Sequence, residues 1–176
     1  DRPRDRQPVW TPDGQRLVFA KLAEGAYDLF ALDLANGNEV APITQTKGFA
    51  EFRADLSPDG RWLTLQSDES GTGEIYVQPF PGPGRRWQLS TGGGFFPVWS
   101  RDGSEIFFRD GQGQLSHVAV SAGTDFDAGV PEALFPLAVL VLYQATVLAA
   151  VQVRPHAVFG LLATAGADRQ VKLWDA

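Results

Sequence analysis

Three aspartates are the first residues of this chain that could do chemistry. Asp13, Asp59 and Asp102 each stand beside a glycine, in Thr11-Pro12-Asp13-Gly14, Ser57-Pro58-Asp59-Gly60 and Ser100-Arg101-Asp102-Gly103. A carboxylate next to a flexible residue would suit a metal ligand or a general acid. The same place in a tight turn favours Asp for another reason: its side chain bonds the neighbouring amides, and a Pro before it pre-sets φ. Three copies of one setting argue for a repeated turn rather than three active sites. A second acidic cluster, Asp68-Glu69-Ser70-Gly71-Thr72-Gly73-Glu74, puts three carboxylates on one loop. It lacks the Asp-x-Asp-x-Asp-Gly spacing of a calcium loop and reads as a solvated hairpin tip.

Other chemistry is missing by composition or by spacing. Without Cys there is no thiol catalysis, disulfide or thiolate metal site. His117 falls within an apolar strand pattern and His156 in an irregular turn. Two histidines with no Cys and no H-E-x-x-H do not build a usual zinc site. No G-x-S-x-G elbow, Walker A loop, Rossmann fingerprint or kinase signature occurs. The expectation is a non-catalytic chain with no cofactor and no metal site. The formal net charge is −6, and the basic Arg2, Arg4 and Arg6 alternate with Asp1 and Asp5. A nucleic-acid partner, which needs a basic face, is not expected.

The aspartate turns also set the scale of the fold. Their glycines are spaced 46 and 43 residues apart, the period of a four-stranded propeller blade. Between them lie short apolar runs rich in branched and aromatic residues, bounded by Gly, Pro, Asp and Asn. Arg16–Ala20, Tyr27–Leu32, Trp62–Gln66, Glu74–Phe80, Glu105–Phe108 and Leu115–Val120 read as strands. Pro42 confines the run 39–43 to an edge. The fold class expected is all-β, a β-propeller of four-stranded antiparallel blades. It has three clear blades, at about 7–45, 49–90 and 95–137, and a partial fourth, giving a small or incomplete ring. Trp10, Trp62, Trp99, Phe19 and Phe107 are read as packing between blades.

Beyond residue 132 the texture changes, because 133–153 holds 21 residues without a charge. That length reaches the threshold for a membrane-spanning helix. Gln144, Gln152 and Pro136 interrupt it, and repeat-like sequence follows, so buried strands or a covering helix is the reading adopted, with a membrane span as the alternative. The segment 138–153 is expected to be irregular and 154–176 to form a partial blade. The chain carries no Met, even at position 1, which leads us to expect a piece of a longer protein.

Up to about Phe135 the chain resembles bacterial TolB-type propeller repeats, through its Ser-Pro-Asp-Gly turns and the strand Glu74-Ile75-Tyr76-Val77. The run from Tyr76 to Gly103 is similar to the C-terminal propeller of bacterial receptor-type Ser/Thr protein kinases. Residues 160–176, ending Val171-Lys172-Leu173-Trp174-Asp175, instead look like a WD-type repeat. The resemblance implies a binding or scaffold module, the sensor or protein-interaction part of a larger bacterial signalling protein, on the extracytoplasmic side. The alternative it implies is the substrate-gating propeller of a prolyl-oligopeptidase-type hydrolase whose catalytic domain is absent. In propellers of this type, loops leading into the innermost strands share one end with the hairpin tips at Glu24, Asp68-Glu69 and Asp110, and such loops commonly carry function. Phe95 and Phe96 lie there, with Phe49 and Glu51 expected at the equivalent place one blade earlier. Phe49, Glu51, Asp68, Glu69, Phe95 and Phe96 are therefore the candidate residues for a protein or peptide partner.

Overall fold

Alternating apolar runs ending in turn residues become three antiparallel sheets in a computed structural model of the chain. It describes residues 8–46 and 48–137. The first blade is formed by β1 (Val9–Trp10), β2 (Arg16–Ala23), β3 (Ala26–Asp33) and β4 (Glu39–Pro42) in that order. The second holds β5 (Glu51–Leu56), β6 (Trp62–Ser67), β7 (Glu74–Pro79) and β8 (Trp87–Gln88). The third holds β9 (Gly94–Trp99), β10 (Glu105–Asp110), β11 (Gln114–Ala122), β12 (Phe126–Ala128) and β13 (Glu132–Pro136). All-β architecture in blades is what the residue pattern predicts.

The outer strand of the third blade is not one continuous strand. It is split: β12 pairs the end of β11, Val120 to Ala122, whereas β13 pairs its start, Gln114 to His117. Gly129, Val130 and Pro131 separate the two pieces, since Pro has no N–H for the ladder. Residues 133–136 lie in β13, so a helix beginning at Ala133, spanning or covering, is ruled out for those residues. Among the described residues no helix is long and apolar enough to cross a membrane. The expectations for 138–153 and 154–176 fall outside the described residues.

Each turn is closed in the same way. Ser57 Oγ donates to Asp59 Oδ1 at 2.6 Å, Gly60 N–H reaches Ser57 O at 2.8 Å, and Trp62 N–H reaches Ser57 Oγ at 3.0 Å. Thr11-Asp13 and Ser100-Asp102 repeat this at 2.5 and 2.7 Å. Hydrogen bonds from Ser100 and Ser104 hold the Asp102 carboxyl down at about 2, and Asp13 and Asp59 are lowered by hydroxyl, amide and guanidinium partners of the same kind. Each of these carboxylates is hydrogen-bonded within its own turn.

The turns also pack on one another. Gly60 has φ +71°, and a Cβ there would sit 3.3 Å from Pro12 Cδ; Gly103, with φ +74°, would meet Pro58 Cδ at 3.4 Å. Proline of one blade thus rests on the glycine of the next. Behind the turns lie two apolar layers. Val18, Ala20 and Leu29 of the first blade meet Leu56, Leu63, Leu65 and Tyr76 of the second. Trp62, Ile75, Val77 and Leu89 of the second meet Trp99, Ile106, Phe108, Val118 and Phe126 of the third. Trp62, Trp87 and Phe126 close the outer end of that layer, with ring centroids 5.2–5.6 Å apart. Of the aromatics expected between blades, Trp62, Trp99 and Phe107 are buried, but Trp10 is 55% exposed and Phe19 half-buried.

Gly60→Ala tests the turn packing. Both its left-handed backbone and the Pro12 contact oppose a side chain, so a loss of about 1–3 kcal/mol in unfolding free energy is expected, measured by urea denaturation against the wild-type chain.

Candidate functional site

The loops leading into inner strands gather at the end of the arc where the β2–β3, β6–β7 and β10–β11 hairpins turn. Ala50 N–H donates to Asp68 Oδ1 at 2.7 Å, tying the Gly48–Ala50 loop to the second hairpin. A Cβ on Gly93 would sit 2.8 Å from Gly111 Cα, so the Gly92–Gly94 loop lies against the third. Buried acids hold these loops. Glu74, 2% exposed, accepts from Ser90 Oγ at 2.5 Å and from Gly93 N–H at 2.8 Å, while Ser90 Oγ also receives Ile75 N–H. The first blade repeats the arrangement: Thr44 Oγ1 receives Leu29 N–H at 2.8 Å and Asp28 Oδ1 receives Thr46 N–H at 3.2 Å.

Two inner strands then bulge at one shared place. In β5, Phe52 pairs Gln66 and Asp55 pairs Thr64, leaving Arg53 and Ala54 opposite Leu65 alone. In β9, Phe95 pairs Arg109 and Val98 pairs Phe107, leaving Phe96 and Pro97 opposite Phe108. Arg53 and Phe96 have φ of +56° and +59°, a conformation that non-glycine residues resist. A bulge re-aims the side chain it carries. Here it lays the Arg53 guanidinium over the Phe96 ring, 3.8 Å from its centroid. One strand position earlier, the Arg109 guanidinium lies 5.3 Å from the Phe95 centroid.

The sequence-predicted residues separate into two groups. Phe49 is 40% exposed on its loop, and Phe95 and Phe96 are half-buried beside their arginines. Phe49 and Glu51 are not the equivalents of Phe95 and Phe96. Counted back from Ser57 and Ser100, the bulged strands match Phe52 to Phe95 and Arg53 to Phe96. Glu51 is fully buried, and Arg86 joins it to Glu69: Arg86 Nη1 stands 2.6 Å from Glu51 Oε1 and 2.8 Å from Glu69 Oε2. The Arg86 Nε–H donates to Gln78 Oε1 at 2.8 Å. The first contact is an ion pair without hydrogen-bond alignment, and Glu51 Oε2 has no protein partner. The three carboxylates of the hairpin tip thus go separate ways, Asp68 to Ala50, Glu69 to Arg86 and Glu74 to Ser90 and Gly93. Among the described residues no His, Asp or Glu cluster is arranged to hold a metal.

Sequence reasoning missed Arg53, Asp55 and Arg86. Charged residues at alternate positions 51, 53 and 55 of an inner strand were the available signal for the first two. Arg86, after the turn Pro81-Gly82-Pro83-Gly84, carries none. Asp55 Oδ2 accepts the Trp99 N–H at 2.8 Å and so links β5 to β9. Burial pushes its carboxyl up to about 6, against the lowering effect of the Trp99 and Leu56 amides.

The sheets, their order and the adjoining inner strands define a β-propeller arc. A family model described as the TolB beta propeller domain matches residues 4–129, and the chain belongs to that family. An uncharacterized protein of Agrobacterium fabrum is 29% identical over 100 residues, covering 56% of this chain and 33% of that one. A putative TolB from Agrobacterium tumefaciens superposes with TM-score 0.58 at 19% identity, covering 76% of this chain and 52% of that one. TolB from Acinetobacter baumannii gives TM-score 0.56 at 24% identity, with 75% and 32% covered. The chain spans about a third to a half of the length of these relatives.

Two substitutions probe the site's supports. Arg86→Met strands the Glu51 carboxylate in the interior and is expected to cost about 3 kcal/mol, with Glu51→Gln in the same chain recovering part of the loss in urea unfolding. Asp55 gives a pH signature. Its folded pKa lies above that of the unfolded chain, so its contribution is complete below about pH 4 and lost as pH rises through 6. Wild-type stability is expected to fall across pH 4–6.5 by at most about 3 kcal/mol relative to Asp55→Asn. The amide keeps an acceptor for Trp99 and titrates nowhere. Unfolding midpoints of the two chains across that range measure the difference.

Proposed function

We propose that the chain is a non-catalytic binding module that engages a protein or peptide at its loop end. The partner would contact Phe49, Phe95, Phe96 and the Arg53 guanidinium, with Asp68, Glu69 and Glu51 acting as supports behind that surface. The observation that carries this reading is the paired bulge. Two non-glycine residues in left-handed conformation, at one shared strand position, present a cation stacked on an aromatic ring. Arginine and aromatic side chains are those most often found at the energetic centre of interfaces, and backbone strain of this kind concentrates at functional sites.

The parent we infer is a larger bacterial signalling protein with the module on its extracytoplasmic side, by the likeness of Tyr76–Gly103 to kinase-appended propellers. The second reading is the propeller of a peptidase. Its support is a fold likeness to a puromycin hydrolase in complex with PGG, TM-score 0.51 at 15% identity, of which this chain covers 28%. The parent reading frame separates the two: a kinase domain and membrane span upstream, or a G-x-S-x-G domain downstream.

The binding reading is tested by capture on the immobilised chain from a bacterial extract, wild type against Phe96→Ala. Recovery of the retained protein is expected to fall about tenfold or more, with circular dichroism and the unfolding midpoint unchanged. Equal recovery by both chains overturns the assignment of the surface.

A further inference from the structure

An aspartate or asparagine stands directly before glycine at Asp13-Gly14, Asn36-Gly37, Asp59-Gly60, Asp102-Gly103 and Asp110-Gly111. Glycine has no Cβ to hinder its own nitrogen, which can therefore close on the side-chain carbon before it and form a five-membered imide. Two things oppose that closure. One is a glycine N–H that already donates within the fold; the other is a carboxylate, a poor electrophile while ionised. The fold sets both against three of the aspartates. The N–H groups of Gly14, Gly60 and Gly103 donate to the carbonyls of Thr11, Ser57 and Ser100 at 2.8, 2.8 and 3.1 Å. The Asp13, Asp59 and Asp102 carboxyls lie below the ordinary aspartate value and are ionised at neutral pH. Asp110 accepts Gln112 and Gln114 N–H on one oxygen and the Ser116 hydroxyl on the other, at 2.8–3.0 Å. Asn36 meets neither obstacle: its amide is uncharged, and among the described residues no acceptor meets the Gly37 N–H.

The turn between β3 and β4 holds this pair at the surface. Gly37 and Asn38 have φ of +68° and +63°, and Glu39 N–H donates to Asn36 O at 3.3 Å, the pattern of a type I′ turn. Asn36, Gly37 and Asn38 are all exposed. The other fastenings of the turn spare the Gly37 nitrogen. Asp33 Oδ1 accepts the Ala35 and Asn36 amides at 3.1 Å, and Asn36 Nδ2 donates to Glu39 Oε2 at 3.4 Å. Asn36 and Asn38 are the only asparagines in the chain.

We propose that Asn36 is a self-modification site, where the chain deamidates without an enzyme and thereby loosens the outer strand of its first blade. The Gly37 N–H gives its proton to water, the nitrogen bonds to Asn36 Cγ, and the Cγ–Nδ2 bond breaks as ammonia leaves. Water then adds to either imide carbonyl and opens the ring to aspartate or isoaspartate. Nothing is oxidised or reduced, and water is the sole co-reactant. Both products carry a carboxylate where Asn36 Nδ2 met Glu39, so a hydrogen bond becomes a like-charge contact. Isoaspartate also adds a methylene to the backbone of the turn. β4 begins at Glu39, its four residues are exposed, and among the described residues it pairs with β3 alone. Few contacts resist its release.

Ageing of the full chain in neutral buffer at physiological temperature, followed by tryptic mass spectrometry of peptide 22–47, tests this. Conversion of Asn36 is expected within about threefold of its rate in the free 22–47 peptide, because no hydrogen bond has to open first. Isoaspartate at Asp13 and Asp59, read by chromatography of the isomeric peptides, is expected to form about tenfold or more slowly than in their own free peptides. Asn36→Gln, which keeps the amide but must close a larger ring, and Gly37→Ala are each expected to slow conversion about tenfold or more. Gly37→Ala strains a left-handed position, so Asn36→Gln decides if that chain misfolds. In the converted chain, amide exchange at 39–41 is expected to quicken about tenfold or more, with β6 and β7 unchanged. The site is overturned if Asn36 converts more than about threefold slower in the fold than in its free peptide, or if Asn36→Gln gains mass equally fast. Isoaspartate at Asp13 and Asp59 forming as fast in the fold as in free peptides overturns the protection of those turns. Unchanged exchange at 39–41 after full conversion overturns the release of β4.

Discussion

A four-stranded sheet has two faces, and only another layer can take both out of water. Most of the other features of this chain follow from that constraint. The second blade, flanked on both sides, is buried along all of β6 and most of β7, and even Thr64, Gln66 and Ser67 are within the interior. The first blade, flanked on one side among the described residues, buries Val18, Ala20 and Leu29 towards its neighbour, while Trp10 and Val40 are exposed. Identical strand order therefore yields different burial, according to how many neighbours a blade has. Packing of Pro12 on Gly60 and Pro58 on Gly103 sets the approach of successive blades at one end.

At the other end the blades are coupled by acids. Glu74 and Asp28 sit at matching positions and take amide protons from the segment that leads to the next blade, while Ser90 and Thr44 take amides of their own sheet. Glu74 is tolerated in the interior because both of its oxygens meet donors; left unmet they would be costly. Glu51 is compensated by charge alone, through the Arg86 guanidinium shared with Glu69. The Gly48–Ala50 and Gly92–Gly93 loops, which lead to Phe49 and to Phe95 and Phe96 of β9, are thus anchored by acids.

Much of this was legible in the sequence, and the boundary has a physical cause. Turn signals are local: Pro, Asp and Gly in three successive positions close a turn through bonds spanning a few residues, so the repeat and its strands could be read directly. β12 could not, because Phe126-Asp127-Ala128 is too short to show alternation and exists only by pairing with β11 and by packing Phe126 on Trp62. Arg86 could not, because its meaning comes from Glu51, thirty-five positions away in the chain. The bulges at Arg53 and Phe96 left a misleading trace. Counting from the loop made Phe49 and Glu51 the equivalents of Phe95 and Phe96; the extra residue in each inner strand appears only when pairing is counted from the turn.

The distribution of backbone strain completes the argument. The turn positions that need a left-handed residue, 14, 60 and 103, are all glycine, for which that conformation carries no side-chain penalty. Glu24 and Asn38 depart from this only in exposed hairpin and turn positions. Arg53 and Phe96 depart from it inside strands, where Gly would satisfy the backbone at lower cost. Glycine at either site would lose the guanidinium or the ring that meets it. Asp55, two residues beyond Arg53, fastens β5 to β9 through the Trp99 amide, so the two bulges cannot drift apart without breaking that bond. The strain is thus held where two blades lock together, and it fixes one cation over one ring at the end of the arc where the loops converge.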